Sequence, residues 1–129
     1  MAEIVTESKE VQIDDQLNLS AEIRLQIKEK IAELKSKLHT KIYAIVVAGE
    51  EEEGEKPFYI AYFRRPGLQA FSQYMTFVQK DVVVASKNMA AQCIVDGDRE
   101  LVDNEDLFLY GLMPKLSTLI EARNGEMVK

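Results

Sequence analysis

The residues of this chain that could do chemistry begin with two groups of acids. Glu50 to Glu53 and Glu55 supply several carboxylate oxygens, the ligands that Ca²⁺ and Mg²⁺ prefer. The segment from Asp96 to Asp98, with Glu100, resembles the start of a calcium loop, but it lacks the alternating ligands and the terminal bidentate glutamate of an EF-hand loop. We therefore interpret the first group as a solvated loop and the second as a turn, and we expect no metal site.

Nucleophilic catalysis would have to use one histidine and one cysteine, because the chain contains only His39 and Cys93. His39 follows a predicted helix, where a partly charged imidazole is favoured for structural reasons, and Cys93 lies on an apolar helix face, where cysteine usually belongs to the core. A single cysteine also excludes an intrachain disulfide and a four-thiolate zinc site. With no glycine-rich phosphate loop either, we expect a protein that is not an enzyme and that has no catalytic residue and no cofactor.

Cations and aromatic rings are interleaved in one short stretch. It contains Tyr59, Tyr62, Phe63, Arg64 and Arg65. Such a combination can stack on bases or bind an acidic protein surface, and the net charge of −6 argues against nucleic acid. These five residues are the candidate binding site for a protein partner, and the alternative that the arginines only pair with acids on neighbouring elements stays open.

The elements that would position these residues are a β-hairpin and several helices. Lys41 to Ala48 and Phe58 to Arg65 are rich in β-branched and aromatic residues, and the loop between them is charged, so the two segments are predicted to form a hairpin. Apolar residues at helical spacing predict helices over Ser20–Leu38, Gly67–Gln79 and Val82–Val95, and a last helical region from Asp103 or Asn104 that Pro114 kinks or breaks. The fold class is therefore α+β, with a two-stranded antiparallel hairpin packed with four or five helices.

The length of 129 residues is enough for one hydrophobic core, so we expect a single α+β domain over residues 18–123. Residues 1–17 are predicted to be a flexible arm, or a strand that forms only on contact, and residues 124–129 are expected to fray. The start of the chain does not resemble a signal peptide, and no apolar stretch is long enough for a membrane span, so we expect a cytoplasmic protein without a membrane partner.

The predicted core contains the apolar residues that share the inner faces of these elements. They are Ile27, Ile31, Leu34, Ile42, Ala44, Val46, Ile60, Tyr62, Phe71, Val78, Cys93, Leu112 and Leu116.

The order of elements from Lys41 to Ile120 resembles that of small phage and prophage proteins known as tail assembly chaperones. The strand ending in Tyr62-Phe63-Arg64-Arg65-Pro66 and the Gly97-Asp98 turn carry this resemblance, while the helix before the hairpin belongs less clearly to the pattern. The resemblance implies a non-enzymatic protein of the host cell cytoplasm that coats the tape-measure protein during virion assembly and recruits tail-tube subunits.

Two other functions stay open. The chain could be a regulatory or adaptor module that binds a host protein, or a small metal-binding protein or enzyme that uses Glu50 to Glu55 or Asp96 to Glu100. The unpaired edge of a two-stranded hairpin also invites pairing with another chain, so a homo-oligomer is compatible with the sequence.

Overall fold

The predicted hairpin forms the centre of a larger sheet in a computed structural model, which describes residues 11–13 and 19–120. Strands β2 (Ile42–Ala48) and β3 (Phe58–Arg64) pair antiparallel along their full length. Strand β1 (Val11–Ile13) runs parallel to β2 on one side, and β4 (Ile94–Gly97) runs antiparallel to β3 on the other. The α+β class is confirmed, and the expected two-stranded hairpin is corrected to a four-stranded sheet in the order β1-β2-β3-β4.

Each added strand lies where the sequence predicted something else. The helix predicted to reach Val95 ends at Cys93, because Ile94 takes an extended conformation and pairs with Phe63. Val11–Ile13 lies within the predicted flexible arm, yet it pairs with β2. The rest of that arm, apart from this strand, and the predicted frayed end at residues 124–129 lie outside the described residues.

The long first helix forms as its apolar spacing predicted. Helix α1 (Ala21–Leu38) is capped by Ser20, whose hydroxyl accepts a hydrogen bond from the Ile23 amide at 3.2 Å. It ends at His39, which takes the left-handed conformation with φ 57°. The apolar stripe of Ile27, Ile31 and Leu34 packs against the sheet, so α1 covers one of the two sheet faces.

The other helices follow the hairpin. Helix α2 (Leu68–Phe77) and helix α3 (Val82–Cys93) form a helical hairpin before β4. The chain then continues through α4 (Glu100–Asp103), α5 (Glu105–Leu107), a π-helical turn (Phe108–Leu112), a 3₁₀ turn (Met113–Lys115) and α6 (Ser117–Ile120), and a further 3₁₀ turn (Glu51–Glu53) lies in the β2–β3 loop. The break expected at Pro114 is confirmed, because a π-helical turn precedes this residue and Pro114 itself lies within the following 3₁₀ turn.

The sheet is buried on both faces, which explains why β2 is a continuous apolar run instead of an alternating one. Ile42, Ala44 and Val46 face α1, and Tyr43, Ile45 and Val47 face α3 and the C-terminal helices. On that second side the π-helical turn lies so close to β2 that a Cβ on Gly111 would come within 2.6 Å of the Val47 side chain. The two central strands therefore have little side-chain surface left for a partner.

Candidate functional site

The largest group of exposed apolar side chains in the described residues lies on the α2–α3 hairpin. Its members are Leu68, Phe71, Met75, Phe77, Val82, Val83 and Val84, and we call this set the α2–α3 face. Leu68 is 85% exposed and Met75 is 53% exposed. The remaining large apolar side chains that are exposed in the described part of the chain are separated in sequence, at Leu25, Leu38 and Tyr110.

Three members of the α2–α3 face share the side of α2 that points away from α3, whereas Phe77 lines the cleft between the two helices. Leu68, Phe71 and Met75 are spaced by three and four residues, so they form one stripe along the helix. On its inner side α2 makes only a small contact with the rest of the protein, in which Ala70 is buried and Tyr74 is half-buried against the core. The prediction that Phe71 belongs to the core was wrong, because α2 has apolar residues around more of its circumference than the rest of the protein covers.

Helix α3 fixes the hairpin to the body of the protein. Asp81 caps it, accepting a hydrogen bond from the Val84 amide at 3.1 Å, and Ala85, Met89 and Cys93 are buried against the sheet. A hydrogen bond of 3.0 Å between the side chains of Gln92 and Gln73 joins α3 to α2. The face is thus held on a helix pair with one side in the core.

The α2 part of the α2–α3 face contains no charged residue, whereas Lys80 and Asp81 directly precede its three valines. No charged residue lies between Arg65 and Lys80, although the chain as a whole has a net charge of −6. An uncharged apolar surface cannot bind a metal ion or a phosphate, but it can exclude water against another apolar surface. Among the described residues no helix has the length and hydropathy needed to cross a membrane.

The structure separates the five residues of the predicted partner-binding stretch. Tyr59, Tyr62 and Phe63 are buried, at 6%, 7% and 0% exposure, because both faces of the central strand are covered. Arg64 is exposed, whereas Arg65 is half-buried and lies 5.8 Å from the centre of the Tyr43 ring. Within this stretch Arg64 is exposed and the three aromatic rings are buried, so the five residues do not form one arginine–aromatic surface. Binding of a partner here stays a prediction.

Burial also changes the pKa of two groups, Tyr62 in the cluster under α1 and Cys93 in the cluster on the other face of the sheet. It raises the pKa of Tyr62 to about 12, with a smaller contribution from the negative charges of Asp96 and Asp98. It likewise raises the pKa of the Cys93 thiol to about 11. Cys93 is 1% exposed and is a core residue as expected, and a thiol with a raised pKa is a poor nucleophile.

Three carboxylates meet beside the β2–β3 loop. The structure brings Asp106 of α5 to Glu50 and Glu55, with one oxygen of each within 4.8 Å of the others, at an open cavity of about 300 Å³. Glu55 already accepts a hydrogen bond from the Glu50 amide at 2.8 Å. The three side chains could hold a cation, but exposed acids of this kind are common without one. Sequence spacing could not have indicated Asp106, because only the packing of α5 against the loop brings it there.

Asp96 and Asp98, at the end of β4, hold this strand in place through their side chains. Asp98 accepts hydrogen bonds from the Ile60 amide at 2.9 Å and from Lys56 at 3.0 Å. Asp96 pairs with Lys30 of α1 at 2.9 Å, and the hydrogen bond from Lys30 is the main reason that the pKa of Asp96 is lowered. These acids link β4 to β3 and to α1, which is a structural role.

The pKa values of the two lysines that pair with these acids change in the opposite direction. Hydrogen bonds to Asp96 and Asp98 raise the pKa values of Lys30 and Lys56. Lys56 also lies over the Tyr59 ring, 4.8 Å from its centre. Because both lysines are largely solvated, these pairs orient the strands more than they stabilise them.

Comparison with protein families identifies the family of this chain. The model of a family described as a domain of unknown function (DUF6848) matches residues 34–119 of the 129. No curated protein and no solved structure matches the chain.

Proposed function

The chain belongs to the DUF6848 family, and we propose that it acts by protein–protein contact, as a non-enzymatic assembly chaperone or structural protein of the phage type. The observation that supports this proposal is the α2–α3 face. Soluble proteins that work alone seldom leave a group of large apolar side chains open to water, and such groups usually mark a binding surface.

The shape of the face favours a helical partner. The stripe of Leu68, Phe71 and Met75 runs along α2, and an amphipathic helix could lie against it with its own apolar residues at i, i+3, i+4 and i+7. Phenylalanine and methionine suit such contact, since both supply large apolar area and methionine adapts its shape to different neighbours. Each 100 Å² of apolar surface removed from water would contribute about 2.5 kcal/mol before the costs of association.

The resemblance to tail assembly chaperones implies a partner with apolar helices of this kind. Those proteins coat the tape-measure protein, whose apolar helices need cover before assembly. In this chain the face supplies the apolar contact, and the net charge of −6 would keep the complex in solution. The proposed action is therefore reversible cover of apolar helices, with no bond made or broken.

Affinity capture from the native source tests this function. The tagged wild-type chain is compared with Met75→Glu, which puts a charge in the middle of the face, and with Ala32→Glu, which adds the same charge to the exposed side of α1. We expect wild type and Ala32→Glu to capture a long helical protein of the tape-measure kind or tail-tube subunits, and Met75→Glu to lose them. Equal capture by wild type and both variants, or capture of neither kind of partner by wild type, would contradict the proposal.

A further inference from the structure

We infer that α2 is a movable lid over a groove on α3, and that this groove binds an apolar, uncharged helix when α2 lifts from it. The groove lies on the side of α2 opposite the exposed stripe. It adds a second contact site for the partner helix of the proposed function, and its use by such a partner rests on that function. The opening of α2 itself requires no partner.

The ends of α2 lack the usual stabilising contacts of a helix. Gly67 precedes the helix and supplies no side-chain cap, and no acid in the first turn or base in the last turn complements the helix dipole. Isolated helices shorter than about 12–15 residues are marginal in water, and α2 has 10 residues. Its helical form and its position therefore depend on the element against which it packs.

The contact that holds α2 is small and contains a cavity. Helix α3 is the main element against which α2 packs. Within α2, Ala70 is buried and Tyr74 is half-buried, and a cavity of about 30 Å³ lies between the two helices. Gln73 and Gln92 join the helices through an exposed hydrogen bond of 3.0 Å. An element with so few buried contacts opens locally, without unfolding of the whole protein.

Helix α3 keeps its position when α2 lifts, because its cap at Asp81 and its core residues Ala90 and Cys93 lie outside the cleft. Its residues in the cleft follow one another at i, i+3, i+4 and i+7 on one face, and they are Ala85, Asn88, Met89 and Gln92. Ala85 and Met89 are 2% and 1% exposed while α2 is in place. Opening therefore uncovers an apolar groove flanked by amide side chains.

The segment that now lies in the groove indicates the chemistry of the partner. Four residues of α2 line the cleft with the same i, i+3, i+4 and i+7 spacing, and they are Ala70, Gln73, Tyr74 and Phe77. No residue of α2 is charged. A partner that takes its place is an uncharged helix with a small residue for close approach to α3 and aromatic residues one and two turns further on.

Thiol labelling of Ala85→Cys in the full chain measures the opening. Position 85 lies in the cleft, whereas native Cys93 is buried in the core on the same helix and is the internal reference. We expect the thiol at position 85 to react with N-ethylmaleimide at least about a hundredfold faster than Cys93, each rate being divided by that of the same thiol in the urea-unfolded chain. Equal normalised rates would overturn the inference, since α2 would then open only on global unfolding.

A matched pair of variants shows whether α2 is the cover. Gln73→Ala removes the hydrogen bond to Gln92 and should speed labelling at position 85 by roughly two- to tenfold without changing Cys93. Gln69→Ala makes the same substitution at an exposed position of α2 and should have no effect. Equal effects would overturn the inference. If Ala85→Cys does not fold, hydrogen exchange of the wild-type chain replaces it, and equal protection of α2 and of residues 86–93 would overturn the inference.

A synthetic peptide tests the occupant. It has the sequence of residues 67–79 with lysine at positions 68, 71 and 75, so it keeps the inner face of α2 and has a soluble outer face. By fluorescence anisotropy its affinity for Gln73→Ala should exceed that for wild type by the factor found in labelling, because only the open form binds it. A control peptide with alanine also at positions 74 and 77 has the same charge and should not bind. Equal binding of both peptides, or equal affinity for both proteins, would overturn the inference.

Failure of this inference and failure of the proposed function give different results. A chain whose thiol at position 85 is as protected as Cys93, but which captures its partner through Met75, would remove the groove and leave the function. A groove that opens and binds the peptide, in a chain that captures no tape-measure or tail-tube protein, would leave the groove and remove the function.

Discussion

Replacement of Asp98 by alanine should loosen the β3–β4 edge of the sheet by a predictable amount. The carboxylate of Asp98 accepts hydrogen bonds from the Ile60 amide at 2.9 Å and from Lys56 at 3.0 Å. The backbone amide of Asp98 separately donates to the Ile60 carbonyl at 2.7 Å, and this bond survives the substitution. Asp98→Ala therefore removes the side-chain contacts and keeps the backbone hydrogen bond.

The expected loss follows from the two contacts. The Ile60 amide is half-buried and would lose its acceptor, which costs about 1–2 kcal/mol. The ion pair with Lys56 is partly exposed, with side-chain exposures of 48% and 31%, so it adds about 0–1 kcal/mol. We expect Asp98→Ala to lower the free energy of unfolding by about 2 kcal/mol, which corresponds to a fall in Tm of roughly 6–8 °C for a chain of this size.

Urea denaturation followed by circular dichroism measures this loss. Asp98→Asn keeps an oxygen for the Ile60 amide and loses the charge. Lys56→Ala leaves the Ile60 contact and removes the exposed ion pair together with the contact over the Tyr59 ring. Each should cost less than about 1 kcal/mol. If Asp98→Ala matches wild type, or if Asp98→Asn is as damaging as Asp98→Ala, the assigned role of the amide contact is refuted.

Three further predictions concern residues around the same sheet. Arg65→Glu should lower the free energy of unfolding by about 1 kcal/mol or more, because it removes a half-buried cation from a tyrosine ring, while exposed Arg64→Glu should change it by less than about 0.5 kcal/mol in the same denaturation assay; equal effects would contradict the difference in burial. The pKa of Asp96 is lowered in the folded state, so its contribution to stability is present above the ordinary aspartate pKa of about 4 and is lost as pH falls below it, and Asp96→Asn should show a weaker loss of Tm on acidification than wild type; parallel pH profiles would refute this. Gly97→Ala should cost at least about 2 kcal/mol by urea denaturation, because φ is 100° and the new Cβ would lie 2.5 Å from the Ile60 carbonyl oxygen; an unchanged midpoint would show that the strand moves freely.

Sequence patterns correctly predicted the elements that have a regular apolar spacing, a helix cap or a turn residue. The four-and-three spacing of α1, the cap at Ser20, the hairpin of β2 and β3 and the break at Pro114 all follow from short-range steric and hydrogen-bonding rules. Strand β4 was missed because Ile94 and Val95 continue the apolar spacing of α3, and only pairing with β3 makes them extended.

The predicted site depended on burial, which local patterns could not decide. The sequence placed aromatic residues and arginines together on β3, but α1 on one face of the sheet and the C-terminal helices on the other bury Tyr62 and Phe63. Phe71 shows the reverse case, since its apolar spacing predicted a core position and it is 39% exposed.

Composition and residue spacing are sufficient to show which residues share a helix or strand face, that the chain is acidic and that it lacks the usual nucleophilic or zinc-binding residue sets. Which of those faces is covered follows from the packing of the elements, because burial depends on what lies opposite each element and not on the element's own pattern. That is why, among the described residues, the large exposed apolar side chains are grouped on the α2–α3 face and not on the aromatic strand.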